Sequence, residues 1–219
     1  MTPPTASYVP RRDASSRAAA RRRQVAARRR RALLVTVGIG VLVVAVVLAL
    51  PLFRKAVKEF TLPLHHQDII RQQAADKHLD PALVAAVIYA ETKFDPRPSS
   101  AGAQGLMQIL PQTAEFLAHR SGAKTFTTAD LATPQVNIAY GTYYLRYLLD
   151  EYRGRVVPAL AAYNGGEANV SRWVAEAKAR GRHFGVLDIP FPETRAYVER
   201  VLHAQRDYRH SYATELGYR

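Results

Sequence analysis

Residues 91 to 114 read ETKFDPRPSSAGAQGLMQILPQTA, and this stretch decides how the chain around it folds. Asp95-Pro96 is typical of a turn, and residues 99–105 contain the two glycines of a loop. Pro111 suits the first position of the next helix. The stretch therefore predicts a loop that folds back along the preceding helix and presents Gln108 and backbone groups to a polar ligand.

The helix before this loop ends on an acid. Asp80 followed by Pro81 is an N-cap with proline in the first turn, and it predicts a helix through about Lys93. Three apolar residues share the face of Glu91 at helical spacing: Val84, Val87 and Ile88. Burial and the negative end of the helix dipole both disfavour a carboxylate there, so the pKa of Glu91 is expected to be raised. Such an acid suits glycosidic cleavage, and the alternative is an acid that bends into solvent.

The remaining sequence is helical in pattern. Thr133-Pro134 predicts a helix to about Tyr152, and shorter helices are expected over residues 158–163, 167–179 and 192–208. No segment shows sustained period-two alternation bounded by hairpin turns. We therefore predict an all-α domain over residues 62–212, followed by a C-terminal tail over residues 213–219.

The sequence resembles the SLT-domain lytic transglycosylases, relatives of goose-type lysozyme. The first family block is matched by Glu91, Phe94, Pro96, Ser99, Gly102-Ala103, Gly105-Leu106-Met107-Gln108 and Pro111-Gln112-Thr113-Ala114. Three further blocks follow in the family's order: Asn137-Ile138 with Tyr144-Leu145, Ala-Ala-Tyr-Asn at 161–164, and Glu-Thr-Arg-x-Tyr-Val at 193–198. The resemblance covers residues 64–209. The chain departs from the pattern at Thr92, which replaces a serine, and in a loop that is one residue shorter than usual.

The resemblance implies a lysozyme-like fold and cleavage of the β-1,4 bond between N-acetylmuramic acid and N-acetylglucosamine, with formation of 1,6-anhydromuramoyl ends. Glu91 would be the catalytic acid and base, and Tyr163 would hydrogen-bond near it. The expected substrate-binding residues are Ser99, Met107, Gln108, Tyr163, Asn164 and Glu193. No cofactor or metal is expected. The partner would be peptidoglycan glycan strands, and the protein would act as a monomer.

The N-terminal part of the chain differs in composition from the rest. Residues 1–31 hold ten arginines against one acid, Asp13, which accounts for most of the formal net charge of +13. With almost no large apolar residues, this segment is predicted to be a disordered cytoplasmic tail. Residues 32–50 carry no charge and are long enough for a transmembrane helix, which places residues 51–61 as a juxtamembrane linker. The flanking arginines predict a cytoplasmic N-terminus and an extracytoplasmic domain.

Two alternatives remain for this segment. A cleaved signal peptide is possible, since Val47-Leu48-Ala49 loosely fits a small-residue cleavage site, although the apolar stretch is longer than the usual signal core. Nucleic-acid binding by the arginines is disfavoured, because the pattern lacks an element that reads bases. Anionic lipid at the inner membrane surface is the expected partner of the tail.

Three other functions fit parts of the sequence. A lysozyme-type peptidoglycan hydrolase is the nearest alternative, because a second carboxylate or a water molecule could complete the site. A non-catalytic glycan-binding module would be expected to lose Glu91 or the loop with Gln108, and neither is lost. A purely structural single-span protein would not need the later motifs. The absence of cysteine excludes thiolate nucleophiles and disulfides.

Overall fold

The computed structural model describes residues 14–97 and 99–218. By its contacts the chain divides after Val57 into two compact units. The helices are α1 (Ala14–Thr61), α2 (Gln67–Asp76), α3 (Pro81–Thr92), α4 (Pro111–Ser121), α5 (Pro134–Glu151), α6 (Val156–Gly165), α7 (Glu167–Ala179) and α8 (Pro192–Ser211), with 3₁₀ turns at Thr128–Ala132 and Val186–Asp188. The described residues form no strand beyond one isolated bridge between Gln104 and Ile109. The predicted all-α class is confirmed.

The described residues of the first unit all lie in helix α1, which begins at Ala14 and ends at Thr61. Its segment Arg21–Pro51 is long and apolar enough to cross a membrane. This criterion rests on length and composition only, and a signal sequence also meets it. Residues 14–31, which the composition predicts to be disordered, are helical, and residues 1–13 lie outside the described residues. Residues 51–61, predicted as a juxtamembrane linker, extend the helix. Alanine and arginine are good helix formers, so a segment that buries little can still be helical.

The centre of the second unit is helix α3. Residues 82–88 of this helix are all buried, with exposed fractions of 3% or less. The Asp80 side chain caps the helix by accepting a hydrogen bond from the Ala82 amide at 3.0 Å, and Pro81 occupies its first turn. The run of alanine, valine and leucine lets α8 and α2 pack closely against it. The buried helix thus brings its last turn, with Glu91, to the edge of the core.

The C-terminal residues belong to the domain. Leu216 is 2% exposed, and the Tyr218 hydroxyl and the Arg209 guanidinium both bind the Asp80 carboxylate. The Arg71 side chain donates a hydrogen bond to the Glu215 carbonyl. Residues 213–218, predicted as a C-terminal tail, therefore pack against the rest of the second unit. The segment has only two large apolar residues, Leu216 and Tyr218, which are too few to form a periodic pattern. Only the folded chain shows what they contact.

Candidate active site

Glu91 lies in the last turn of α3 and faces an open pocket of about 390 Å³. The pocket is lined by Ala90, Glu91, Thr92, Lys93, Asp95, Arg97 and Gln108. The helix ends at Thr92, and the left-handed backbone of Lys93 turns the chain away into the loop. The pocket therefore combines the acid of the helix end with the polar groups of the loop that follows it.

The surroundings of Glu91 keep its proton available near neutral pH. Burial raises the pKa of the carboxyl group to about 7, while a hydrogen bond from Tyr197 and the positive charge of Arg200 act in the opposite direction. Desolvation outweighs both attractive interactions. A carboxyl group with this pKa can donate a proton and take one back at the same pH.

Tyr197 of α8 is a polar neighbour of Glu91. Its hydroxyl is buried, and no full hydrogen-bond partner is seen for it among the described residues. The same hydroxyl nevertheless lies near enough to lower the pKa of Glu91, so we regard the contact as a loose hydrogen bond. Hydrogen bonds of this kind often tighten only when substrate is bound.

Tyr163 lies beside Glu91 but binds another group. Its hydroxyl donates a hydrogen bond of 2.8 Å to the Met107 carbonyl. Burial and the nearby charge of Glu91 raise the pKa of this tyrosine well above its ordinary value, so it stays protonated. The structure thus shows Tyr163 tying α6 to the loop next to the acid, and it shows no direct hydrogen bond between Tyr163 and Glu91.

Two side chains hold the loop against α3. The Thr92 hydroxyl lies 2.9 Å from the Leu106 carbonyl and 3.1 Å from the Ile88 carbonyl, and it can donate to either. The Gln108 amide nitrogen Nε2 donates to the carbonyls of Arg97 and Gly105 at 3.0 and 2.9 Å. Because both donor positions of the amide are used inside the loop, its oxygen Oε1 is the part of the amide that these hydrogen bonds leave free.

Asn137 of α5 fixes the same loop from the side of the core. Its oxygen Oδ1 accepts a hydrogen bond from the Met107 amide at 2.8 Å. Its nitrogen Nδ2 donates to the carbonyls of Gln104 and Leu131 at 2.9 and 3.1 Å. Every hydrogen-bonding position of this buried side chain except one acceptor lone pair is used, so the loop has little freedom.

We expect Gly105→Ala to lower the free energy of unfolding by at least about 3 kcal/mol, because the added methyl group overpacks the core. Gly105 has a φ of +72°, and a Cβ there would meet Asn137 Nδ2 at 2.0 Å and the Leu131 carbonyl at 2.6 Å. Gly102→Ala is the matched control, because Gly102 has a φ of +80° with nothing within 4 Å. Chemical denaturation should show a cost of about 1 kcal/mol for the control. Equal losses of unfolding free energy in the two variants would show that the left-handed backbone alone, and not the contact with Asn137, sets the loss.

Two predicted substrate-binding residues are engaged inside the protein. Met107 has no exposed surface, and its side chain packs against Gly141 of α5. The prediction that the Met107 side chain contacts substrate therefore does not fit this placement, and its backbone instead anchors Asn137 and Tyr163. The Ser99 hydroxyl accepts a hydrogen bond from the Ala103 amide at 2.9 Å and closes a turn of the loop.

The other two predicted residues are exposed and lie outside the residues that line the Glu91 pocket. Asn164 stands in the last turn of α6, and Glu193 stands in the first turn of α8. These two helix ends meet where Thr194 packs against Gly165, since a Cβ on Gly165 would lie 3.0 Å from the Thr194 hydroxyl. The contact places Asn164 and Glu193 at one junction.

Three residues of this site were missed in the sequence: Asn137, Tyr197 and Arg200. Asn137 and Tyr197 lie within the quoted motifs, so a signal for them was present. Tyr197 stands four residues after Glu193, which is one helical turn. Nothing in the local sequence marks Arg200.

Comparisons with known proteins agree with this geometry. The family model described as "Transglycosylase SLT domain" matches residues 68–183, more than half of the chain. The soluble lytic murein transglycosylase of Salmonella typhimurium is 33% identical over 160 residues, which cover 69% of this chain and 24% of that protein. The membrane-bound lytic murein transglycosylase C of Salmonella paratyphi B is 31% identical over 163 residues, covering 64% of this chain and 45% of that protein.

A solved structure shares the fold of the second unit. The inactive mutant of the lytic transglycosylase Slt from Pseudomonas aeruginosa superimposes with a TM-score of 0.66 at 30% identity, over 71% of this chain and 26% of that chain. The predicted lysozyme-like class is confirmed by this likeness. The chain spans about a quarter of the length of the soluble relatives and under half of the membrane-bound one. The chain belongs to the transglycosylase SLT domain family.

Proposed function

We propose that this protein is a membrane-anchored lytic transglycosylase of peptidoglycan. It cleaves the β-1,4 bond between N-acetylmuramic acid and N-acetylglucosamine and leaves 1,6-anhydromuramoyl ends. The observation that carries the proposal is the half-buried carboxyl group of Glu91, whose pKa is about 7, in a pocket that the loop with Gln108 completes. The names of its relatives support the same reaction class.

In the proposed reaction Glu91 acts twice. Its carboxyl group first protonates the glycosidic oxygen, so the bond from the muramic acid C1 atom to that oxygen breaks and the N-acetylglucosamine alcohol leaves. The resulting carboxylate then takes the proton from the 6-hydroxyl of the same muramic acid, whose oxygen bonds to C1. The proton balance closes on Glu91, and no water is consumed. Because the nucleophile is part of the same sugar, proximity replaces the capture of a water molecule.

The acids around the pocket favour this route over lysozyme-type hydrolysis. Among the described residues that line the pocket, Asp95 is the other carboxylate, and it is exposed and paired with Arg97 at 2.7 Å. No carboxylate contributes to the pKa shift of Glu91. Glycosidases with two carboxylates need the second close to the first, as a nucleophile or as a base that activates water. A single acid with an intramolecular nucleophile requires no such partner.

We assign the substrate contacts from exposure and free hydrogen-bonding groups. The Gln108 oxygen Oε1 would accept a hydrogen bond from an acetamido N–H, and Asn164 and Glu193 would bind sugar hydroxyls at the helix junction. Ser99 keeps its hydroxyl proton for a ligand, because it accepts rather than donates within the loop.

We propose that the glycan strand continues from Tyr163 into a second depression. The rings of Tyr144 and Tyr163 lie 5.2 Å apart, and Tyr144 lines an open pocket of about 400 Å³ with Phe116 and Tyr147. The carboxylate of Glu167 accepts a hydrogen bond from the Tyr147 hydroxyl at 3.0 Å and a longer one from Tyr144 at 3.4 Å. Fixed aromatic rings with a carboxylate between them suit the apolar faces and hydroxyls of sugars.

The reaction product tests the proposal. The full chain in detergent should release muropeptides that end in 1,6-anhydromuramic acid, one water lighter than a reducing end. When the digestion is run in water enriched in heavy oxygen, mass spectrometry should find these ends unlabelled, because no water enters the bond. Lysozyme digestion of the same sacculi is the control and should label its ends. Labelled reducing ends from this protein would establish hydrolysis and leave the substrate assignment in place.

We also propose that the apolar segment of α1 stays attached as a single-pass anchor with the N-terminus in the cytoplasm. The uncharged stretch and its arginine flank support this topology. We expect the mature protein in the membrane fraction at full mass, with the second unit degraded by protease added from outside. Western blots of fractionated cells measure both. A soluble form that begins near Leu50 would show that the segment is a cleaved signal.

A further inference from the structure

A wide depression on the second unit lies apart from Glu91 and is rich in positive charge. It has a volume of about 740 Å³ and is formed by the turn between α5 and α6 together with the C-terminal part of α7. Its residues are Glu151, Tyr152, Arg153, Arg155, Ser171, Val174, Ala175, Lys178, Gly181, Arg182, His183 and Phe184. None of these lines the Glu91 pocket, so this basic pocket is a separate feature.

The cations of the basic pocket are only partly neutralised. Four of its residues are arginine or lysine, against the single acid Glu151. Arg182 forms a salt bridge of 3.0 Å with Asp188 outside the pocket. No partner is seen for the side chains of Arg153 and Lys178 within the described residues. Their charges are therefore free to bind an anion.

A hydrogen bond orients the Arg155 side chain, and Arg153 lies in a tight turn beside it. The Arg155 nitrogen Nε donates a hydrogen bond of 3.2 Å to the Tyr152 carbonyl, which leaves its two terminal nitrogens for a ligand. Arg153 has a φ of +56°, an uncommon conformation for a residue with a side chain, and it directs the chain into the sharp turn before α6. A guanidinium group that is already oriented loses less entropy when it binds a carboxylate.

The floor of the basic pocket is apolar. Tyr152 and Phe184 are each 6% exposed, and Val174 and Ala175 lie beside them. An apolar floor with a cationic rim fits a ligand that combines carboxylates with small apolar side chains. A bare inorganic anion would leave the floor unused, and an uncharged sugar such as N-acetylglucosamine has no charge to meet the rim.

We propose that the basic pocket binds the carboxylates of short peptides, namely the peptide side chains that peptidoglycan strands carry. This inference rests on the proposed function for the identity of the ligand. Along α6, Arg155 precedes Tyr163 by eight residues, a rise of about 12 Å. An extended peptide of four residues spans up to about 14 Å, so a peptide on a sugar bound beside Tyr163 is long enough to reach the pocket.

Binding of a peptide without sugar tests the pocket independently of catalysis. The probe is the tetrapeptide L-Ala-γ-D-Glu-L-Ala-D-Ala, which has two free carboxylates, with an uncharged dye at its N-terminus and fluorescence anisotropy as the readout. We expect the full chain in detergent to bind it and Arg153→Gln/Lys178→Gln to bind about ten-fold or more weakly, because two charge-assisted contacts are lost. The same peptide with both carboxylates amidated should bind as weakly as the double variant does.

Lys124→Gln/Arg206→Gln is the matched control. It removes the same two charges from exposed positions outside the pocket and should bind the peptide as the unaltered chain does. The arginines of residues 1–31 are common to all these proteins, so their attraction for the peptide cancels. Equal binding by the pocket variant and the unaltered chain, or equal loss in the control, would overturn the inference. The inference would also be overturned if the unaltered chain bound the amidated peptide as tightly as the peptide with free carboxylates.

Glycan cleavage separates this inference from the proposed function. Strands that keep their peptides should be cleaved several-fold faster than strands stripped by an amidase, and Arg153→Gln/Lys178→Gln should abolish that preference while it cleaves stripped strands normally. If no protein cleaves glycan but the peptide results hold, the proposed function fails and the pocket stands. If cleavage is normal and the variant keeps the preference, the pocket inference fails alone.

Discussion

Glu91→Gln should lower the rate of glycan cleavage by at least ~10²-fold, the usual contribution of a general acid and base. The amide has the shape of the carboxyl group but can neither donate the proton to the leaving oxygen nor recover it from the 6-hydroxyl. The position of Glu91 at the edge of the core makes this replacement structurally mild. Initial rates of muropeptide release by the full chain in detergent measure the effect, and the folded fraction of each protein is checked by circular dichroism.

Two controls give the result its meaning. Glu115→Gln removes an exposed acid of α4 and should leave the rate unchanged. Asp95→Asn removes the other carboxylate that lines the Glu91 pocket, and we expect only a small effect because that side chain is exposed and paired with Arg97. Near-normal cleavage by Glu91→Gln would refute the mechanism. A loss in Asp95→Asn as large as that in Glu91→Gln would indicate a two-carboxylate reaction.

The position of Glu91 could be predicted from the sequence, although the spacing of the apolar residues does not by itself explain it. The spacing of Val84, Val87 and Ile88 indicated one buried face of a helix that Glu91 shares. The structure buries every residue from 82 to 88, so α3 is a central helix without a solvent face over that length. Spacing cannot distinguish faces on a helix that is apolar all round. The order of the four motifs, and not the periodicity, carried the prediction of the site.

The contacts of the acid could not be read from the sequence. Tyr197 and Arg200 lie on α8, more than a hundred residues after Glu91, and only the packing of α8 on α3 brings them together. The hydroxyl of Tyr163 was expected near Glu91, but its partner is the Met107 carbonyl. Motifs indicate which residues gather at a site, whereas hydrogen-bond partners depend on how the helices pack.

The stability of the fold should depend on pH through the carboxyl group of Glu91. The folded-state pKa of Glu91 is about 7, raised by burial above the ordinary value of 4.5 that applies to the unfolded chain. Between these two values the folded state binds more protons at Glu91 than the unfolded state does. The contribution of Glu91 to the free energy of unfolding therefore falls as the pH rises from about 4.5 to about 7, and it is constant outside that window.

Glu91→Gln removes this dependence, so the variant should gain stability relative to the unaltered chain as the pH rises. The gain between pH 4 and pH 8 should reach about 3 kcal/mol at most, since each pKa unit corresponds to about 1.4 kcal/mol. Urea denaturation of both proteins at several pH values measures the difference, in which all other titrating groups cancel. The exposed control Glu115→Gln should show no such trend. A difference between Glu91→Gln and the unaltered chain that stays constant from pH 4 to pH 8 would mean that burial does not raise the pKa of Glu91, and the acid would then be ionised before it could protonate the leaving oxygen.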